Sequence, residues 1–192
     1  IKNRDRIVLC LIAKDGVEVD GIEFENIFKL MDQFNNNGIS PIMARVNNVN
    51  DIKSIITQLK DEKYYIEYLW FRVHGNPFQF NLGDERIDIK IDGYRNTENF
   101  DLLADALNDL PDNTNIILES CSSGRIVKKV MIQDNNVTYE ITNPMCIAQR
   151  IANQKPGWRV FAPSMDIKYG TSISFNLLSV IFKISHFSFF NR

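Results

Sequence analysis

The chain alternates short, unbroken apolar runs with longer amphipathic stretches. Ile7–Ala13 (IVLCLIA), Pro41–Val46 (PIMARV), Tyr68–Val73 (YLWFRV), Ile116–Ser120 and Arg159–Ala162 (RVFA) are the runs. Their length and their branched and aromatic content predict strands, buried ones in every case but Pro41–Val46, which reads simply as a second strand. Between them, apolar residues recur at helical spacing. Ile22, Ile27, Phe28, Leu30, Met31 and Phe34 predict a helix over Ile22–Phe34, ended by Asn35-Asn36-Asn37-Gly38. Ile52, Ile55, Ile56 and Leu59 predict a second, capped by Asn50 or Asp51 and running through Lys60. A third follows Asn99 and runs through Leu110, where Pro111-Asp112-Asn113 stops it. A fourth opens at Thr142-Asn143-Pro144, with the proline near the first helical position, and continues through Ala152.

The remaining segments are shorter. Asp15-Gly16 reads as a turn after the first strand, and Pro163-Ser164 as the end of the last buried one. Phe78–Leu82 and Ile87–Ile91 alternate about Gly83-Asp84, the pattern of a β-hairpin. Ile126–Ile132 fits helix and strand equally, and Val137–Ile141 reads as extended. Strands alternating with helices predict an α/β fold with a mostly parallel central sheet flanked by helices on both faces. No internal repeat or linker divides the chain. One domain is expected over residues 1–192, with its core at about 5–165 and an apolar strand or tail over 166–192.

Composition narrows the classes of partner. The 192 residues carry a net charge of −2, and the one basic cluster, Arg125 with Lys128 and Lys129, is short. Nucleic-acid binding needs a larger basic surface, so no nucleic-acid partner is expected. The stretch Ile173–Phe190 is apolar, but Asn176, Lys183, His186 and four serines interrupt it. It reads as a strand or buried tail, and a membrane is not expected as a partner. Ile stands at residue 1 and no signal peptide opens the chain, which suggests a processed or excised piece of something longer.

The candidate chemistry lies at two strand ends. Tyr68–Val73 is followed at once by His74-Gly75, and Ile116–Ser120 by Cys121-Ser122-Ser123-Gly124. In α/β proteins the rim just beyond the carboxyl ends of the strands is where ligands bind. A thiol attacks as its thiolate, and a free cysteine, with a pKa of about 8.5, is only slightly ionised at neutral pH. A neighbouring imidazole can take its proton and later protonate a leaving amine. The backbone N–H groups of Gly75 and Cys121 are candidate oxyanion donors, and Gly124 lets the chain turn sharply after the thiol. Cys10 and Cys146 sit in apolar surroundings and read as core residues. The three cysteines leave one over in any pairing and lack metal-type spacing, which favours a reducing compartment, a secreted cysteine enzyme being the exception. No cofactor or metal is expected. The chain has no Gly-x-Ser-x-Gly elbow, Walker loop or Gly-x-Gly-x-x-Gly.

An apolar strand ending in His-Gly, then a helix, then an apolar strand ending in Cys, resembles the caspase-like cysteine peptidases. That group includes caspases, metacaspases, gingipains, separases, the self-cleaving protease domains of bacterial toxins, and CHAT domains. The forty-seven residues from His74 to Cys121 are close to the roughly 50 of caspases. The stretch Asn143–Ile151, followed by Arg159–Ser164, is similar to the helix and strand after the cysteine in CHAT and toxin protease domains. Glu119-Ser120-Cys121-Ser122-Ser123 departs from the caspase pentapeptide, so Asp specificity does not carry over.

The resemblance implies a three-layer caspase-like fold, Cys121 as nucleophile, His74 as base and the Gly75 N–H as oxyanion donor. It also implies a protein or peptide substrate. The pocket for the residue before the scissile bond would be built near Asp15, Glu119 and Asp166. Carboxylates there would favour Lys or Arg through charge-assisted bonds. Three functions fit: a cysteine endopeptidase, with its own chain among the substrates; a catalytically weak or silent interaction module of the same fold; and a cysteine-dependent acyl transferase or deamidase.

Overall fold

A computed structural model describes residues 5–13, 21–89, 99–132, 137–141, 144–164 and 187–190. Among the described residues the principal sheet has six strands: β1 (Arg6–Ala13), β2 (Ser40–Val46), β3 (Tyr65–Arg72), β7 (Asn115–Glu119), β10 (Arg159–Pro163) and β11 (Phe187–Phe190). Their order is β11-β10-β7-β3-β1-β2, and every pair is parallel except β10 with β11. The apolar C-terminal stretch thus ends in a strand that covers one sheet edge. The helices are α1 (Gly21–Asn36), α2 (Val49–Asp61), α3 (Asn99–Leu107) and α4 (Ile147–Ala152).

Alternation along the strands builds two apolar layers. Val8, Cys10 and Ile12 of β1, with Tyr68 and Trp70 of β3 and Ile117 of β7, pack on Ile27, Leu30, Met31 and Phe34 of α1. Ile7, Leu9 and Leu11, with Leu69 and Phe71 and with Ile116 and Leu118, pack on α2, α3 and α4 from the other side. Both faces of the inner strands are therefore dry, which is why those strands read as continuous apolar runs. The expected α/β sandwich, helices on both faces of a mostly parallel sheet, is the fold observed.

Several boundaries differ from the sequence expectation, each for a local reason. The α2 cap is Asn48, ahead of both expected candidates: its side chain accepts from Asp51 N at 3.0 Å, and the Asp51 carboxylate accepts from the Asn48 backbone. Asp51 is thus the far half of a capping box. Helix α3 stops at Leu107, where turns lead to Pro111. Helix α4 starts at Ile147 because Cys146 is its N-cap, the sulfur accepting from Gln149 N at 3.4 Å. The expected hairpin is a three-stranded sheet, β4 (Gly75–Asn76), β5 (Gln79–Asn81) and β6 (Arg86–Asp88). Of the ambiguous 126–132 segment only the second half is strand, residues 126–128 being irregular: β8 (Lys129–Ile132) pairs antiparallel with β9 (Val137–Glu140).

Candidate active site

The sheet register brings the two marked strand ends together. β3 and β7 are adjacent and parallel, and their last rung pairs Arg72 with Glu119. His74 follows two residues after Arg72, and Cys121 two residues after Glu119. Neighbouring strands lie about 4.8 Å apart, so His74 and Cys121 follow adjacent strand ends. His74 is exposed and Cys121 half-buried, so both are open to solvent.

Backbone hydrogen bonds fix each loop. On the histidine side, Val73 N donates to Glu119 O at 3.2 Å, and Asn81 N donates to His74 O at 2.9 Å. Gly75 pairs with Phe80 across β4 and β5. A methyl group on Gly75 would fall on the Gln79 carbonyl oxygen and on Ser120 Oγ, inside contact distance of both. Only glycine allows this approach, which joins the residue after His74 to the residue before Cys121. Gly75→Ala is therefore expected to cost about 1–3 kcal/mol, read from the denaturant midpoint. An unchanged midpoint would show that the loop is looser than this contact requires.

On the cysteine side, residues 121–124 form a tight turn. Ser123 N and Ser123 Oγ both donate to Ser120 O, at 3.2 and 2.7 Å, and Arg125 N donates to Ser122 O at 2.8 Å. Ser123 thus bonds the turn. Ser120 Oγ, by contrast, is buried against Gly75 with no hydrogen-bond partner among the described residues. Gly124 N donates to Pro163 O at 2.7 Å, and a Cβ at Gly124 would meet Ala162 O at 2.6 Å, so the turn is seated on the end of β10. Ser122 is buried and adopts φ +52°. A left-handed, non-glycine residue costs about 1–2 kcal/mol, and such conformations cluster at functional sites.

Helix α4 ties the two loops to one another. Ile147 N donates to Pro77 O at 2.8 Å, and Ala148 N donates to Ser123 O at 3.3 Å. The first N–H groups of a helix have no partner within it. Here they hold the loop after His74 and the turn after Cys121.

Glu119 sits on the α1 face of the sheet. Its Oε2 accepts from Arg72 Nε at 2.8 Å and from Trp70 Nε1 at 2.9 Å. Arg72 was not singled out from the sequence, although a charged residue inside YLWFRV was the available signal. Asp15 and Asp166, the other carboxylates expected near the pocket, lie outside the described residues. Among the described residues no group of three or more His, Cys, Asp or Glu is placed to hold a metal.

The other two thiols have different surroundings. Burial pushes the Cys10 thiol well above its ordinary value; Glu119 adds to the rise and Arg72 offsets part of it. Burial also raises Cys146, and backbone N–H bonds beginning with that of Gln149 partly oppose it. Both thiols stay protonated near neutrality, so iodoacetamide at pH 7.5 should modify Cys121 at least about tenfold faster than either. Peptide mapping by mass spectrometry checks this, and faster labelling of Cys10 or Cys146 would contradict it. The same shifts stabilise the fold while the thiols are protonated. That contribution is complete below the unfolded thiol value of about 8.5 and is lost as pH rises toward the folded values.

No family model matches the sequence, and no curated protein does. Solved structures do match. A secreted C11 cysteine protease from Bacteroides thetaiotaomicron, in complex with an irreversible peptide inhibitor, superimposes with a TM-score of 0.50 at 13% identity, over 85% of this chain. Caspase-1 from Spodoptera frugiperda superimposes with a TM-score of 0.41 at 13% identity, over 91% of this chain. The match takes in 50% of the C11 protease chain and 64% of the caspase chain, so this chain spans about half the length of the former. The fold is that of the caspase-like cysteine peptidases, as the sequence resemblance implied. Among the described residues no helix is long and apolar enough to cross a membrane.

Proposed function

We propose that the chain is a cysteine endopeptidase domain acting through Cys121 and His74. The observation that supports this best is the β3–β7 register, which sets the two residues after equivalent positions of adjacent parallel strands. In this reading His74 accepts the thiol proton, and Cys121 Sγ attacks the scissile carbonyl to form a tetrahedral oxyanion. The Gly75 and Cys121 N–H groups stabilise that oxyanion. Collapse expels the amine, which takes the proton from His74 and leaves a thioester. Water, deprotonated by His74, then hydrolyses the thioester and regenerates the thiol. Glu119, with Asp15 and Asp166, belongs to the pocket for the residue before the scissile bond. The substrate is a protein or peptide, and the chain's own segments are among the candidates.

The test is mass spectrometry of the purified protein, alone and with a peptide library, beside Cys121→Ala. Cuts that require the thiol support the proposal. A folded protein that cuts neither itself nor any peptide would leave an interaction module as the better account. A gain of about one dalton on a partner protein, without chain scission, would favour a deamidase.

A further inference from the structure

We infer that Ser120 is a positioning residue of the oxyanion site: its buried hydroxyl holds the Gly75 and Cys121 N–H donors at the spacing one oxyanion needs. The inference rests on the peptidase reading. Ser120 is 1% exposed, and its Oγ is buried with no hydrogen-bond partner among the described residues. Alanine would fill the same place without hiding a polar atom, and an unbonded buried hydroxyl destabilises a fold. The oxygen is thus kept against the interest of the resting fold, in the residue just before Cys121.

The rest of Ser120 is firmly bonded. Its N donates to Leu118 O at 3.0 Å, and its carbonyl accepts from Ser123 N at 3.2 Å and Ser123 Oγ at 2.7 Å. That carbonyl belongs to the peptide that carries the Cys121 N–H. The peptide is trans, so the N–H points away from Ser123 and is aimed from behind. The His74–Gly75 peptide is anchored in the same way: its carbonyl accepts from Asn81 N on β5 at 2.9 Å. Its N–H therefore points away from β5, off the edge of β4, which is the outer strand of its sheet among the described residues.

These bonds aim each donor separately. Contact at Gly75 relates one donor to the other. A Cβ on Gly75 would fall on Ser120 Oγ and on main-chain atoms of Gln79 and Phe80. Of these, only the Ser120 oxygen comes from the cysteine side. The bonds from Val73 N to Glu119 O and from α4 join the two loops elsewhere. Two N–H groups stabilise an oxyanion only when both converge on one point, about 2.7–3.1 Å from each nitrogen. Without the oxygen Gly75 could settle inward, and the two donors would lose that common point.

The experiment compares the full chain with Ser120→Ala, Gly75→Ala and the double variant. Ser120→Ala should leave the denaturant midpoint unchanged or raised, because the hydroxyl it removes is unbonded. On the peptide that the wild type cuts best, kcat should fall about tenfold while KM moves less than about twofold. Deleting a donor outright costs more, about 10²–10³-fold. Affinity for the matching peptide aldehyde should also fall about tenfold. Cys121 Sγ adds to the aldehyde carbon, the carbonyl π pair moves to oxygen and the thiol proton follows, so the adduct sets an oxygen in the same site. Alkylation of Cys121 by iodoacetamide forms no oxyanion and should stay within about twofold of wild type. Gly75→Ala should lower the midpoint, and the double variant should regain part of that loss, since one of the obstructing oxygens is gone. If Gly75→Ala fails to fold, the readouts on Ser120→Ala still decide. An unchanged kcat or aldehyde affinity in Ser120→Ala, a lowered midpoint there, or additive midpoints overturns this inference and leaves the peptidase intact. A wild type that cuts no peptide overturns the peptidase reading and this inference with it.

Discussion

Cys121→Ala is expected to abolish peptide cleavage, lowering kcat/KM by about 10⁴-fold or more, while the protein stays folded. The size of the loss follows from the proposed role: without the sulfur no acyl-enzyme could form, and the remaining groups could only orient water. The fold should tolerate the change because the turn is held by main-chain bonds. Ser123 to Ser120, Gly124 to Pro163 and Ala148 to Ser123 are all made without the Cys121 side chain. A shift of no more than about 1 kcal/mol in unfolding free energy is expected for a half-buried side chain of this kind. Denaturant melts and cleavage assays on the same preparation separate the two effects. Full activity in this variant would remove the thiol from the mechanism.

His74→Ala is expected to lower kcat/KM by about 10²–10⁴-fold, the span associated with a lost general acid–base. His74 is exposed, so its removal leaves no buried polar group unpaired, and its backbone carbonyl keeps the bond from Asn81 N. Stability should move by no more than about 0.5 kcal/mol. Partial recovery of the rate on adding imidazole would locate the defect in proton transfer. A variant that cleaves as fast as the wild type would show that another group carries the proton.

The inner strands were legible because burial on both faces writes itself into the chain as unbroken apolar runs. IVLCLIA and YLWFRV could hardly lie anywhere but mid-sheet, and the residues that follow them gained meaning from that. Segments with one dry face were harder. Ile126–Ile132 carries no run long enough to separate strand from helix, and only pairing with Val137–Glu140 decided it. Cap positions depended on which carboxylate reached back, so Asn48 could not be told from Asn50 or Asp51 by residue type. Within the candidate site, the positions of His74 and Cys121 in the sequence were informative without any knowledge of register. The Arg72–Glu119 contact was not, because it joins residues far apart in sequence whose meeting depends on strand order. The left-handed Ser122 was equally hidden, since serine is not the residue that such a backbone favours.

The two amide bonds from the start of α4 carry a consequence for robustness. α4 is one short helix, and Ile147, Ala148, Ile151 and Ala152 are all buried, so core packing rather than its own few hydrogen bonds sets where it stands. Because the same helix end grips both loops of the candidate site, neither loop has a private attachment there to lose. Damage to the packing beneath α4, well away from any substrate, would slacken both jaws of the site at once. Distance from the chemistry therefore offers a residue of this core no immunity from affecting it.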